Sequence, residues 1–180
     1  MKRVFLTRVL VCAGFFALVC GMAAPAQAVD QADLMVALKT TPLLTNKLSG
    51  SAVMAVVFDP ADAASKAEAD SLKALLDAGI DAPGGVKITG MMVPVAEVGS
   101  KLSSAKLAFI TKGACTAPVS TAANAAGVLS MSTDLDCVKG NKCILGIVTK
   151  PSVEIYYSKT AADAAKVGFA QAFTMLVKQI

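Results

Sequence analysis

Ser51-Ala-Val-Met-Ala-Val-Val-Phe58, followed at once by Asp59-Pro60, is the stretch that decides the fold. Eight residues with no polar alternation do not suit a strand wetted on one side. They read as a strand covered on both faces, which open parallel sheets require. Downstream, Ser65-Lys-Ala-Glu68 has the spacing of a helix-capping box, and Leu72, Leu75 and Leu76 share one helical face before Gly79 stops the helix. A strand feeding an amphipathic helix is the first half of a crossover unit.

The same unit recurs outward from this point. Val86 to Val93 reads as a second strand, Val95 to Ser104 as a short helix, and Lys106 to Thr111 as a third strand. An alanine-rich helix from Thr116 to Ala126 and a fourth strand from Val128 to Ser132 follow. Gly84-Gly85 precedes a strand instead of opening a helix, so it is a turn and not a phosphate cradle. Beyond Thr133 the pattern changes. Cys143 to Val148, a turn at Thr149-Lys-Pro-Ser152, and Val153 to Tyr157 predict an antiparallel hairpin at the sheet edge. Thr160-Ala-Ala-Asp163 then caps a last helix with Ala165, Phe169, Phe173, Leu176 and Ile180 on one face. Asp30 to Ser49 is a helical entry segment interrupted at Pro42. The expectation is a three-layer α/β domain over residues 29–180: a mainly parallel sheet, helices on both faces, a C-terminal antiparallel hairpin and a terminal helix.

Residues 1–28 read as a secretory signal peptide. Lys2, Arg3 and Arg8 precede an uncharged stretch from Val9 to Met22, and Ala26-Gln27-Ala28 supplies small residues at −3 and −1. A lipid anchor at Cys20 competes with this reading, although Val19 stands where a small residue is expected. The apolar stretch is shorter than the roughly 20 residues that span a bilayer. The expected product is a periplasmic protein that begins at Val29 and does not itself span the membrane. The intact mass of the exported protein should match residues 29–180; a mass retaining residues 1–28, or a lipid on Cys20, refutes the assignment.

Cleavage removes three of the 17 basic residues and none of the 13 acidic ones, leaving a balance of +1. Such a charge excludes a nucleic-acid-binding patch. The mature chain also has no Arg, His or Trp, so the commonest general base and metal ligand are both missing. A Ser or Cys nucleophile has no His to activate it, and no dinucleotide or nucleoside-triphosphate glycine pattern is present. The expectation is a non-enzymatic protein without a cofactor or metal. Met91, Met92 and Cys115 are soft donors, but adjacent strand residues point to opposite faces, so one methionine belongs to the core. Asp134 and Asp136 are too few for a calcium site and read as part of a solvated loop.

Three cysteines remain after cleavage. Cys137 and Cys143 bracket Val138-Lys-Gly-Asn-Lys142, whose Gly-Asn pair can reverse the chain, and in an oxidising compartment they are expected to pair. Closing so small a loop stabilises by about 2 kcal/mol. Cys115 is then an unpaired thiol. Titration of the denatured, unreduced monomer should find one thiol per chain, and three would refute the pairing.

In open parallel sheets a ligand lies outside the carboxyl ends of the strands. That rim comprises Asp59, Pro94, Thr111 to Cys115 and Thr133-Asp134, with the positive end of the helix that begins near Thr116 as its anion-attracting feature. Asp59, Thr111, Cys115, Thr116, Thr133 and Asp134 are therefore the candidate ligand or partner residues.

The strand Val128 to Ser132 running into the Cys137–Cys143 loop, the hairpin with Val153-Glu154-Ile155 and the alanine-rich terminal helix together resemble YfiR-like periplasmic repressor proteins over Ser51 to Ile180. The resemblance implies a periplasmic α/β protein that docks on the outer domain of an inner-membrane diguanylate cyclase and restrains it, with Cys137 and Cys143 as a structural disulfide. The family's aromatic N-terminal helix, its Trp-Pro and its arginines have no counterpart here. The strand order also resembles one lobe of a periplasmic substrate-binding protein, which implies a small-molecule ligand at the strand rim. The partner is thus either a membrane-bound signalling protein or a small molecule.

Overall fold

The structure is a computed structural model that describes residues 29–180. The proposed leader, with Cys12 and Cys20, lies outside the described residues. In chain order the elements are α1 (Gln31–Leu38), β1 (Ser51–Phe58), α2 (Ala63–Leu76), β2 (Ile80–Ala82), β3 (Val86–Pro94), α3 (Val98–Lys101), β4 (Leu107–Ile110), α4 (Ala117–Ala126) and β5 (Leu129–Ser132). They continue with α5 (Leu135–Lys139), β6 (Leu145–Val148), β7 (Glu154–Tyr157), α6 (Lys159–Ala165), α7 (Gln171–Thr174) and β8 (Lys178–Gln179). All eight strands form one sheet in the order β2-β3-β1-β4-β5-β6-β7-β8.

The strand read first is central. β1 pairs in parallel with β3 on one side and β4 on the other. Met54 and Val56 enter one core; Ala55 and Val57 enter the second core across the sheet. The first core is roofed by Leu34 and Leu38 of α1 and by Ala69, Leu72 and Leu76 of α2. The second is roofed by Val98 of α3, the adjoining Leu102, and Val119 and Ala123 of α4. β4 and β5 continue the parallel arrangement. The three-layer, mainly parallel architecture read from the alternating pattern is what the chain adopts.

Local chemistry explains the individual elements. Asp62 caps α2, its Oδ1 accepting from the N–H groups of Ala64 (2.8 Å) and Ser65 (3.2 Å). Gly90 in β3 lets α2 approach closely, since a Cβ there would lie 2.7 Å from Cβ of Leu76. Met91 and Met92 diverge as expected, Met92 packing on the first core and Met91 on the second.

Four readings change. Ser65 and Glu68 do not form a capping box: Asp62 takes the capping position, which frees both side chains to point at the strand ends. Between Gly79 and Val86 the chain adds β2, antiparallel to β3 through the glycine turn. In the expected edge hairpin, β7 is antiparallel to β6, but β6 itself pairs in parallel with β5, because α5 occupies the Cys137 loop as a short crossover.

The fourth change concerns the terminal helix. It ends after Ala165, where Lys166 takes a left-handed conformation (φ 57°), and the chain resumes as α7 and the edge strand β8, parallel to β7. Tertiary contacts decide this. The N–H of Thr45 donates to Gly168 O (2.9 Å) and that of Ala170 to Leu43 O (2.8 Å), docking the segment on the N-terminal region. Phe169 stacks on Phe173 (4.2 Å between centroids), and both meet the Tyr157 ring edge-on. Leu176 and Ile180, assigned to the helix's apolar face, are exposed.

Candidate functional site

From β1 the chain moves outward to β3, then recrosses β1 to reach β4 on its other side. Strand order therefore reverses at β1, and the loops leaving β1 and β4 diverge around a switch point, the position where open α/β sheets hold ligands. Asp59 to Asp62 form one wall and Thr111 to Cys115 the other.

The rim is built as a set of directed hydrogen bonds. The N–H of Asp59 donates to Ser65 Oγ (2.8 Å), and the Ser65 hydroxyl lies 2.6 Å from Thr111 Oγ1, which donates to Val57 O (3.0 Å). With the Thr111 proton committed to Val57, Ser65 must donate to Thr111. The relay ties α2 to the ends of β1 and β4. Asp59 Oδ1 closes its own turn by accepting from the N–H of Ala61 (2.9 Å).

Glu68 joins the next pair of strands. Its Oε2 accepts from the N–H of Lys112 (2.7 Å) and its Oε1 from the hydroxyl of Thr133 (2.9 Å), so one side chain of α2 straps the loops after β4 and β5. Asp134 caps α5 through the N–H of Asp136, and its own N–H donates to Ser132 Oγ. The hydroxyl of Ser132 in turn donates to Ile110 O (2.6 Å). Among the described residues no buried side-chain nitrogen or oxygen lacks a partner. Such a rim is preorganised: its polar groups hold the loops in place before anything binds.

Glu68 is only 5 % exposed. Burial pushes its carboxyl above the ordinary glutamate range and the nearby Asp134 charge adds to this, while the Lys112 N–H and the Thr133 hydroxyl oppose the shift. A carboxyl whose pKa is raised on folding stabilises the native state below its unfolded pKa, and that contribution is lost as pH rises through the folded value. Glu68→Gln keeps an acceptor for Lys112 and cannot ionise. Its stability relative to the parent protein is therefore expected to increase as pH climbs from the usual glutamate range toward neutrality. Parallel urea titrations at several pH values check this, and a difference independent of pH would refute it.

Asp59 and Thr111 thus bond to Ser65 and Thr133 to Glu68, while the neighbouring Asp134 is held separately through Ser132. Gly113 lies on the same wall: its φ is +84°, and a Cβ there would sit 2.5 Å from Asp62 Oδ2. Cys115 and Thr116 belong to the far end of the loop. Thr116 is the N-cap residue of α4 but makes no side-chain capping bond. The expected Cys137–Cys143 pair is joined by Cys115: the chain brings it beside Cys137 as well, so all three sulfurs lie in one cluster. A separate open groove of about 670 Å³ runs between α3 and α4, lined by Val98, Leu102, Pro118, Ala122 and Ala126 among others. It is apolar and distinct in character from the rim.

Sequence reasoning gave Ser65 and Glu68 only a capping role, placed Gly113 in the Thr111 to Cys115 rim without a role of its own, and passed over Asp62. The usable signal was the spacing of Ser65, Glu68, Leu72 and Leu76, which places two polar residues on the stripe that α2 buries.

The sequence matches no protein-family model and no curated protein. Its fold has solved neighbours. A conserved domain protein from Vibrio cholerae is 16% identical with a TM-score of 0.54, the match covering 84% of this chain and 60% of that one. A ligand-free, open substrate binding protein with adhesive properties from Clostridium difficile is 12% identical (TM-score 0.57; 85% and 59% covered). The ABC domain from Streptococcus pneumonia, solved with L-Trp, is 12% identical (TM-score 0.54; 82% and 59% covered). At such identities the likeness is one of fold. The chain spans about three fifths of the length of these neighbours, and what it shares with them is the α/β fold.

Proposed function

We propose that this chain is an exported binding protein that acts without catalysis and takes a small polar ligand at the rim formed by Asp59, Thr111, Lys112, Thr133 and Asp134. The observation that carries this reading is the reversal of strand order at β1, with the flanking loops held by Ser65 and Glu68. The fold shared with a substrate binding protein and with a domain solved with L-Trp supports it. Asp59 and Asp134 suit a cationic group, and the uncapped start of α4 suits an anionic one, so zwitterions are the first class to test. A single open rim encloses little of a ligand. Tight binding therefore calls for a second wall, from another copy or from a further lobe.

Thermal melts of the mature protein against a panel of amino acids test the proposal. A ligand at one hundred times its Kd adds about 2.7 kcal/mol, and at this chain length each kcal/mol raises Tm by about 2–4 °C. A shift of that size which Asp59→Ala abolishes is the expected result. No shift with any amino acid, together with recovery of an integral membrane protein in a pull-down from the membrane fraction, would overturn the proposal in favour of the repressor-like docking role.

A further inference from the structure

Three cysteines from three separate segments meet at one point beside the rim. Cys115 lies in the loop between β4 and α4, Cys137 in α5, and Cys143 at the entry to β6. Their sulfurs all lie within 4.8 Å of one another. Cα of Cys137 is 5.7 Å from that of Cys115 and 5.4 Å from that of Cys143, and both separations are ordinary for a disulfide. The backbone thus presents Cys137 equally well to two partners, and a sulfur forms only one disulfide.

We propose that Cys137 is the shared sulfur of a mobile disulfide, which moves between Cys143 and Cys115 by intramolecular thiol–disulfide exchange. The thiolate of Cys115 attacks Cys137 Sγ, the Cys115–Cys137 bond forms and the Cys137–Cys143 bond breaks. Cys143 departs as a thiolate and takes up the proton that Cys115 released. One disulfide and one thiol exist before and after, so no oxidant or reductant is consumed. The leftover thiol stays close: Cys115 Sγ and Cys143 Sγ are 3.8 Å apart. Lys142, one residue before Cys143, donates from Nζ to Cys115 O (3.3 Å), which holds the loop after β4 against the entry to β6.

The two bonds constrain different parts of the molecule. Cys137–Cys143 closes a local loop with a sequence separation of 6, whereas Cys115–Cys137 spans 22 residues and ties the loop after β4 to the helix after β5. Exchange therefore adds or removes a covalent brace between two of the loops that form the rim. The inference rests on the cysteine geometry alone and stands whether or not the rim binds a ligand.

Accessibility provides the test, since Cys115 is half-buried while Cys143 is fully buried. The unreduced protein is quenched in acid, denatured, treated with N-ethylmaleimide and mapped by mass spectrometry without reduction. The label is expected on Cys115 in one pool and on Cys143 in another, with Cys137 unlabelled. Prolonged alkylation of the native protein with iodoacetamide before the quench should drain both pools into one species alkylated at Cys115, because each return of the bond to Cys143 exposes that thiol. A label confined to one cysteine after rapid trapping overturns the proposal, as does a Cys143-thiol pool that prolonged alkylation leaves intact. Three free thiols, or a stoichiometric zinc or copper ion bound in the purified protein, would also overturn it. Cys115→Ser and Cys143→Ser are each expected to hold one complete disulfide with no free thiol; a free Cys137 thiol in either variant would count against the shared role.

Discussion

Phe109→Ala is expected to lower the stability of the domain by about 4 kcal/mol, the largest single effect among the substitutions considered. Phe109 sits on β4, between Val56 of β1 and Met131 of β5, and is fully buried. Removing its ring discards the transfer free energy of a large apolar side chain. It also leaves a cavity that a strand bonded on both sides cannot collapse to fill. Thermal unfolding should show Tm lower by roughly 8–16 °C. The exposed Lys66–Asp70 pair on α2 serves as the contrast, since breaking it with Lys66→Ala should change stability by about 0.5 kcal/mol or less. A Phe109→Ala loss no larger than this contrast would show that the sheet is not the rigid centre described above.

Gly113→Ala is expected to cost about 2–3 kcal/mol, by a different mechanism. The residue holds φ at +84°, where any Cβ is disfavoured, and the added methyl would meet Asp62 Oδ2 at 2.5 Å. Asp62 cannot retreat freely, because its other oxygen caps α2. The substitution therefore strains the loop after β4 and loosens the start of the helix that carries Ser65 and Glu68. Both the melting temperature and any ligand-induced shift should fall. Gly99→Ala is the matched control: a Cβ at Gly99 meets nothing within 4 Å, so the replacement should be neutral or mildly stabilising. Equal effects at the two positions would dismiss the close approach of the β4 loop to Asp62 as the cause.

The contrast between these two sites parallels what could be read from the chain. Phe109 belongs to a short apolar run whose meaning is local, and the alternation of such runs with capped, amphipathic helices was enough to specify a parallel sheet between two helical layers. The rim was legible only in outline. That Asp59, Thr111, Thr133 and Asp134 lie at strand ends follows from the order of elements. That Ser65 and Glu68 reach them does not, because the same Ser-x-x-Glu spacing serves equally well as a cap and only the position of Asp62 decides against it.

The C-terminal region shows where local pattern misleads. Ala165, Phe169, Phe173, Leu176 and Ile180 repeat at helical spacing, yet the helix ends at Ala165 because Phe169 and Phe173 pack better around Tyr157, with their backbone docked on Leu43 and Thr45. Intrinsic helix preference amounts to less than about 1 kcal/mol per residue and yields to such packing.

By itself, the sequence determined the alternation of β1, α2, β3, β4, α4 and β5, the burial of β1 on both faces, the absence of His and Arg from residues 29–180, and the loop that holds Cys137 near Cys143. Each of these depends on neighbours within a few residues or on composition, and none needs the fold. Tertiary structure alone decided the parallel placement of β6, the edge strand β8, the strap made by Glu68, and the arrival of Cys115 beside Cys137. Those features join segments 14 to 65 residues apart, as Met131 with Leu145 and Glu68 with Thr133 illustrate. Contacts at that range depend on how the sheet is ordered and closed, a cooperative property that no local window of the chain contains.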